Sequence, residues 1–190
     1  VEDDGDDYII TKDLLSEIKG ASFRLDWAKS FDKALELMVS NQHDTYLVDY
    51  RLGAHDGIEL LRLALTRGCQ SPIILLTGQG EHEIDIAAME AGAADYLVKT
   101  HLTADDLERS IRYALERKRA QTVAAFEHAR LAAFGAEVGL ALTREDSLEA
   151  ILQRCAGAML RYLNASQAEI LVYNEAQKCF KTYATAGELT

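Results

Sequence analysis

Proline is nearly absent from this chain: Pro72 stands alone among 190 residues. Three cysteines, Cys69, Cys155 and Cys179, are far apart and odd in number, which excludes a disulfide framework and gives no zinc-ligand spacing. No apolar run approaches the 18 or so residues of a membrane span, and no signal-peptide pattern is present, so the expected compartment is the cytoplasm. Basic residues are scarce in the first half. Residues 1–102 hold 19 acids against 9 bases, a balance of −10, whereas residues 103–190 are close to neutral at −1. That acidity argues against nucleic-acid binding by the first half, and the second half has no basic stripe to supply it. The cluster Arg117-Lys118-Arg119 reads as the solvated face of a helix.

What is present is a regular alternation. Ile10, Leu14 and Ile18 recur at spacing four and predict a helix over 7–19, ended by Gly20. Phe23 to Ala28 alternates as a half-buried strand would. Ser30 can cap a helix to about Asn41. Thr45 to Asp49 reads as a buried strand, and Gly53 and Asp56-Gly57 mark a loop before the helical face of Ile58, Leu61 and Leu65. Ile73 to Leu76 is a continuous apolar run of the kind found in central parallel strands. A helix over 81–91 stops at Gly92, and Tyr96 to Val98 forms the last strand. Strands alternating with helices predict a doubly wound α/β fold with a five-stranded parallel sheet, whose first strand ends at Val1 and is otherwise missing.

Glu2, Asp3, Asp49, Thr77 and Lys99 all fall at the ends of these short apolar runs. In a doubly wound sheet the carboxyl ends of the strands form the ligand crevice. Three carboxylates gathered there repel one another, and an oxygen-only site of that kind suits Mg²⁺. A carboxylate nucleophile beside Mg²⁺, with a lysine and a threonine to hold phosphoryl oxygens, describes an aspartyl-phosphate site.

The motifs V-E-D-D at 1–4, Y-L-V-D-Y at 46–50, D-G at 56–57, I-I-L-L-T-G at 73–78 and D-Y-L-V-K at 95–99 give residues 1–118 a clear family likeness. In that order they resemble the receiver domain of two-component response regulators, a flavodoxin-like fold. The resemblance implies that Asp49 is the phosphoacceptor, with Thr77 and Lys99 on the phosphoryl group. It implies Mg²⁺ held by Asp3 directly, Glu2 through water, Asp49, and the backbone carbonyl of Arg51. It makes Thr77 and Tyr96 the switch pair, beside the plain reading of Tyr96 as a half-buried strand residue. The partner it implies is a sensor histidine kinase or phosphotransfer protein, with the chain a phosphoacceptor rather than an enzyme. Two positions depart from the family pattern: Thr100 follows Lys99 where a cis proline is common, and Gly53 also replaces a frequent proline. Both loosen the loops around the site.

From Thr103 to Phe134 neither glycine nor proline occurs, which predicts one long helix, with Leu107, Ile111 and Leu115 on the receiver sheet and residues 119–134 as a linker. A second module is expected from 135 to 190, opening with a capping-box-like Asp146 and Glu149 and continuing through a helix into two strands joined across Asn174–Lys178. The stretches 137–156 and 168–175 resemble the start of an α+β GAF sensory domain, of which the chain would hold only the first part. That resemblance implies a small-molecule ligand for the complete domain. The long helix suggests a homodimer, although no clean heptad runs through 115–134.

Other readings are weaker in chemistry. His128 lacks the following acid of a phosphodonor histidine, and His43, His55, His82 and His101 show no ligand spacing. Cys155 or Cys179 could anchor a bilin only on a complete GAF scaffold. Haloacid-dehalogenase-type phosphatases need a second acid two residues after the nucleophile, where this chain has Arg51. A dimerising ligand-sensing scaffold with a degenerate receiver is the remaining alternative, favoured by Thr100 and opposed by the intact Asp49 and Lys99.

Overall fold

The computed structural model describes residues 1–78, 82–143 and 147–187. Its first unit, Val1–Ala120, alternates helix and strand. Helix α1 (Gly5–Glu17) starts at Asp4, whose side chain accepts the Asp6 N–H. Helix α2 (Phe31–Val39) starts at Ser30, which caps Lys33 N. Strand β1 (Tyr46–Asp49) leads into a tight hairpin of β2 (Arg51–Leu52) and β3 (His55–Asp56). Asp56 caps α3 (Gly57–Thr66) by accepting from Glu59 N. Strand β4 (Ile73–Thr77), helix α4 (His82–Glu90) and strand β5 (Asp95–Val98) follow, then a 3-10 turn at Lys99–His101 and helix α5 (Ala104–Thr143).

The parallel sheet has the order β1-β4-β5, with Asp49 beside Leu76 and Thr77 beside Val98. It is smaller than the five strands the sequence suggests. Val1 and Glu2 do occupy the first-strand place: Val1 N donates to Leu47 O, Asp49 N to Val1 O (3.0 Å) and Glu2 N to Ala28 O (3.0 Å). Two residues make too short a ladder to count as a strand. The segment 23–28 is therefore extended without regular pairing, and an apolar cleft lined by Leu15, Leu25, Leu37 and Leu47 lies beside it. The hydrogen bonds still run in the order 23–28, 1–2, β1, β4, β5, which is the flavodoxin-like winding.

Alternation along β4 builds two cores. Ile73 and Leu75 pack with Met38, Leu60, Leu61 and Ala88 from α2, α3 and α4. Ile74 and Leu76 pack with Leu15 and Ile18 of the α1 region and with Leu107, Ile111 and Ala114 of α5. The buried face of α1 agrees in part with the one expected: Ile18 is inside and Leu14 packs against the same core, but Ile10 is exposed and Leu15 is buried in addition.

Helix α5 does not end near Phe134. It continues through Gly135 and Gly139 to Thr143, 40 residues in all, about 60 Å at 1.5 Å per residue. An interior glycine costs only about 1 kcal/mol relative to alanine, which does not stop a helix already propagating. The second unit, Gln121–Thr190, contains the rest of α5 with α6 (Leu148–Leu163), β6 (Gln167–Asn174) and β7 (Cys179–Gly187). Strands β6 and β7 form an antiparallel hairpin, and Ala156, Leu152 and Met159 of α6 pack on Ala168, Ile170 and Ala184. Ser147 caps α6 by accepting from Ala150 N, and the expected cap Asp146 lies outside the described residues, as does Glu81 at the start of the 81–91 helix. Asn164, in the left-handed region at φ 52°, ends α6. Among the described residues no helix is long and apolar enough to cross a membrane.

Gly57 is where α3 closes on the sheet. Its N–H donates to Tyr50 O at 2.7 Å, and a Cβ there would overlap the main-chain oxygen of Asp49 and lie 2.9 Å from Leu75 Cδ2. Gly57→Ala should therefore lower stability by about 1–3 kcal/mol through overpacking, despite alanine's better helix propensity. Urea unfolding monitored by circular dichroism measures this, and an unchanged midpoint would show that the helix start relaxes freely.

Candidate functional site at the carboxyl edge of the sheet

Each element delivers one side chain to the same edge. Glu2 and Asp3 follow the short first-strand segment, Asp49 ends β1, Thr77 ends β4, and Lys99 follows β5. Asp49, Thr77 and Lys99 line one cleft with Tyr50, Arg51, Gly78 and Ile84. Glu2, Asp49 and Thr77 are buried and Asp3 is exposed. Carboxylate oxygens of Glu2, Asp3 and Asp49 all lie within 4.8 Å of one another.

Lys99 holds the cluster together. Its Nζ sits 2.6 Å from Glu2 Oε2, 2.8 Å from Asp49 Oδ1 and 2.6 Å from Asp7 Oδ2. Burial works against the ammonium, but hydrogen bonds to Asp49, Asp7 and Glu2 outweigh it and hold the Lys99 pKa above the usual lysine range. The Glu2 pKa is also raised, which for a carboxylate disfavours the charged form. Burial raises its pKa, the Lys99 hydrogen bond only partly opposes this, and the nearby Asp49 charge adds to it. The two shifts are compatible because one ammonium is shared among three carboxylates.

Asp7 is the member that sequence reading missed. It lies in the first turn of α1, outside the strand-end motifs. The only signal for it is spacing: one helical turn after Asp3, an acid in the first turn faces back towards the strand edge.

The departures from the family pattern also resolve. Among the described residues there is no cis peptide bond, so Lys99–Thr100 is trans, and Lys99 still reaches Asp49. Gly53 has φ 62°, a conformation closed to proline, whose ring fixes φ near −65°. Tyr96 is half-buried and packs against the core beneath α2, α3 and α4 rather than lining the cleft. His128 is exposed on α5. His43 is largely enclosed, with Nε2 2.9 Å from Asp26 Oδ2, and His55 pairs with Glu59 at 3.0 Å, so neither is simply solvated.

The donor set fits a hard divalent cation. Glu2, Asp7 and Asp49 share one ammonium, Asp3 adds a further carboxylate beside Glu2 and Asp49, and all candidate ligand atoms are oxygens. The indole of Trp27 lies close by: Nε1 donates to Glu2 O at 2.6 Å, and the ring stacks on Tyr8. As the chain's one tryptophan, it is a built-in reporter of this edge.

The family model for the response regulator receiver domain matches residues 1–112. Response regulator RppA of Synechocystis sp. is 35% identical over 113 residues, which cover 57% of this chain and 46% of RppA. The KDP operon transcriptional regulatory protein KdpE of Escherichia coli is 32% identical over 117 residues, 62% of this chain and 51% of KdpE. A crystal structure of a receiver domain protein from Clostridium thermocellum superposes with a TM-score of 0.54 at 29% identity, covering 63% of this chain and 94% of that one. The chain spans about half the length of these curated relatives.

Removing the shared ammonium tests the electrostatics of the edge. The Lys99 pKa is raised in the fold, so its stabilisation is fully present below its unfolded value of about 10.4 and is lost as pH rises through the folded value. Lys99→Met leaves three carboxylates uncompensated and should cost about 2–4 kcal/mol at pH 7. The deficit should shrink as pH falls and Glu2, whose pKa is raised, takes up a proton. Urea unfolding across pH measures both, and a deficit independent of pH would mean that Lys99 acts through packing alone.

Proposed function

The chain belongs to the response regulator receiver family, and from that membership we propose that it is a phosphoacceptor in two-component signalling, with Asp49 as the acceptor. The observation that carries this reading is the convergence of Asp49, Thr77 and Lys99 on one cleft beside the Glu2–Asp3 pair. The donor is the phosphohistidine of a histidine kinase or phosphotransfer protein. A carboxylate oxygen of Asp49 attacks phosphorus and an O–P bond forms. The donor's P–N bond breaks, and its electron pair returns to the imidazole, which takes up a proton.

Lys99 donates to a phosphoryl oxygen as the charge on Asp49 changes from carboxylate to acyl phosphate. The Thr77 hydroxyl is the second donor, and Gly78 beside it leaves the approach open. Asp3, Asp49 and the Arg51 carbonyl would hold Mg²⁺, with Glu2 acting through water; bound there, the ion supplies positive charge to the phosphoryl oxygens. Arg51 stands where a phosphatase of the haloacid-dehalogenase type needs its second acid, so the product is a phosphoprotein and not rapid turnover.

The finer parts of the reading concern what the signal reaches. Tyr96 and Thr77 act as the switch, and α5 carries the change from the receiver towards residues 135–190, an opening segment of a GAF-like module. Val123, Phe126, Leu131 and Leu140 leave apolar side chains exposed along α5, which supports pairing with a second copy through the linker.

Incubation with acetyl phosphate and Mg²⁺, followed by intact-mass measurement, should give one phosphoryl adduct that requires the metal and is absent in Asp49→Asn. A folded parent chain that takes no adduct would overturn the reading in favour of a degenerate receiver serving as a dimerising scaffold.

A further inference from the structure

We propose that Asp7 is a positioning residue that restrains Lys99, setting both the ease with which Asp49 is phosphorylated and the lifetime of the product. The inference rests on the reading of Asp49 as the acceptor. It starts from the coordination of one ammonium. Lys99 has three N–H donors, and three carboxylates lie within hydrogen-bond distance of them: Glu2, Asp49 and Asp7. Phosphorylation turns the Asp49 carboxylate into an acyl phosphate, and the several phosphoryl oxygens then compete with Glu2 and Asp7 for the same three donors.

The three partners differ in how firmly they are fixed. The side chains of Glu2 and Asp49 are 7% and 10% exposed, whereas Asp7 is 41% exposed. Water can replace Lys99 at Asp7 and cannot easily do so at Glu2. Asp7 is therefore the partner displaced. It is also the carboxylate that shares the open cleft with Asp49 and Thr77, so its charge faces the incoming anionic donor as well as Lys99. Both effects have the same sign: the Asp7 charge opposes phosphoryl arrival and competes for Lys99 afterwards.

The geometry is maintained by α1 itself. Asp4 caps the helix by accepting from Asp6 N at 2.8 Å, and this fixes the first turn from which Asp7 reaches Lys99. Stacking of Tyr8 on Trp27 pins the next residue, with ring centroids 4.1 Å apart. Asp7 thus sits on a held helix start, and its side chain alone has to move.

The step affected is written with acetyl phosphate as donor. Asp49 attacks phosphorus, the O–P bond to Asp49 forms, and the donor's P–O bond breaks to release acetate with the electron pair. In the decay, water attacks phosphorus, the Asp49 O–P bond breaks, the carboxylate is restored, and inorganic phosphate leaves with the water's proton passing to solvent.

The experiment follows adduct formation and decay by intact mass in the full chain, its Asp7→Asn and Asp7→Glu variants and an Asp49→Asn control, over a range of acetyl phosphate concentrations. Asp7→Asn should form the adduct roughly fivefold faster at low donor concentration and lose it roughly fivefold more slowly, the scale of one partly exposed ion pair. Asp7→Glu, which keeps the charge, should return both rates to within about twofold of the parent. Equal urea midpoints for parent and Asp7→Asn would exclude a change in folding as the cause. Parent-like rates in Asp7→Asn, with the Asp49→Asn control blank, would overturn the role of Asp7 and leave the acceptor assignment standing. Asp7→Glu behaving like Asp7→Asn would also overturn it. No adduct on the parent would overturn both readings together.

Discussion

A single ammonium shared among three carboxylates is the constraint on which the site depends. Lys99 brings Glu2, Asp7 and Asp49 to within 2.8 Å of its Nζ at the carboxyl edge of the sheet. Asp49 and Lys99 are distant in sequence from Glu2 and Asp7, and in water nothing would hold the four together. Their convergence is imposed by the cores on either side of β4, which fix the strand ends in register. Hydrophobic burial is thus the source of the electrostatic strain, and Lys99 relieves only part of it. The residual negative charge is what makes the edge receptive to a divalent cation and, with it, to a phosphoryl group.

Close packing behind the site serves the same end. Gly57 lets α3 approach the main chain of Asp49, and Gly53 adopts a left-handed conformation beside Asp3. These two glycines leave room for Asp49 and the exposed Asp3 where larger residues could not. The loop at Gly53 is therefore a different solution from the proline common at that place, and the trans bond after Lys99 does not prevent the lysine from reaching the cluster.

Much of this was legible in the sequence because period and punctuation agree. The all-buried run Ile73–Thr77, the caps Ser30 and Asp56, and the strand-end acids mark the sheet and its active edge. Asp7 was not legible, because its role depends on how α1 sits over the sheet and not on any strand end. The helical face of α1 was legible in part: Leu14 and Ile18 pack in the core as their spacing predicts, while Ile10 is exposed and Leu15 is buried in addition, which only tertiary packing decides. The five-strand expectation met a two-residue first segment, which bonds on both sides yet is too short to order 23–28 as a strand. The sequence places the start of a second module at 135, but the helix already established runs on through Gly135 and Gly139. In the second unit the hairpin follows the pattern, whereas α6 packs on it through Leu152, Ala156 and Met159 and leaves Leu148 exposed, and a family for that unit is carried by resemblance alone.

The central claim is that Lys99 exchanges a carboxylate for a phosphoryl oxygen on Asp49. A crystal structure of the chain with Mg²⁺ and beryllofluoride, a stable mimic of the phosphoryl group, addresses it directly. The account predicts beryllium on Asp49, with Lys99 Nζ and the Thr77 hydroxyl within hydrogen-bond distance of its fluorides and Asp7 released. Beryllofluoride on Asp49 with Lys99 still bound to Glu2, Asp7 and Asp49 and touching no fluoride would contradict it.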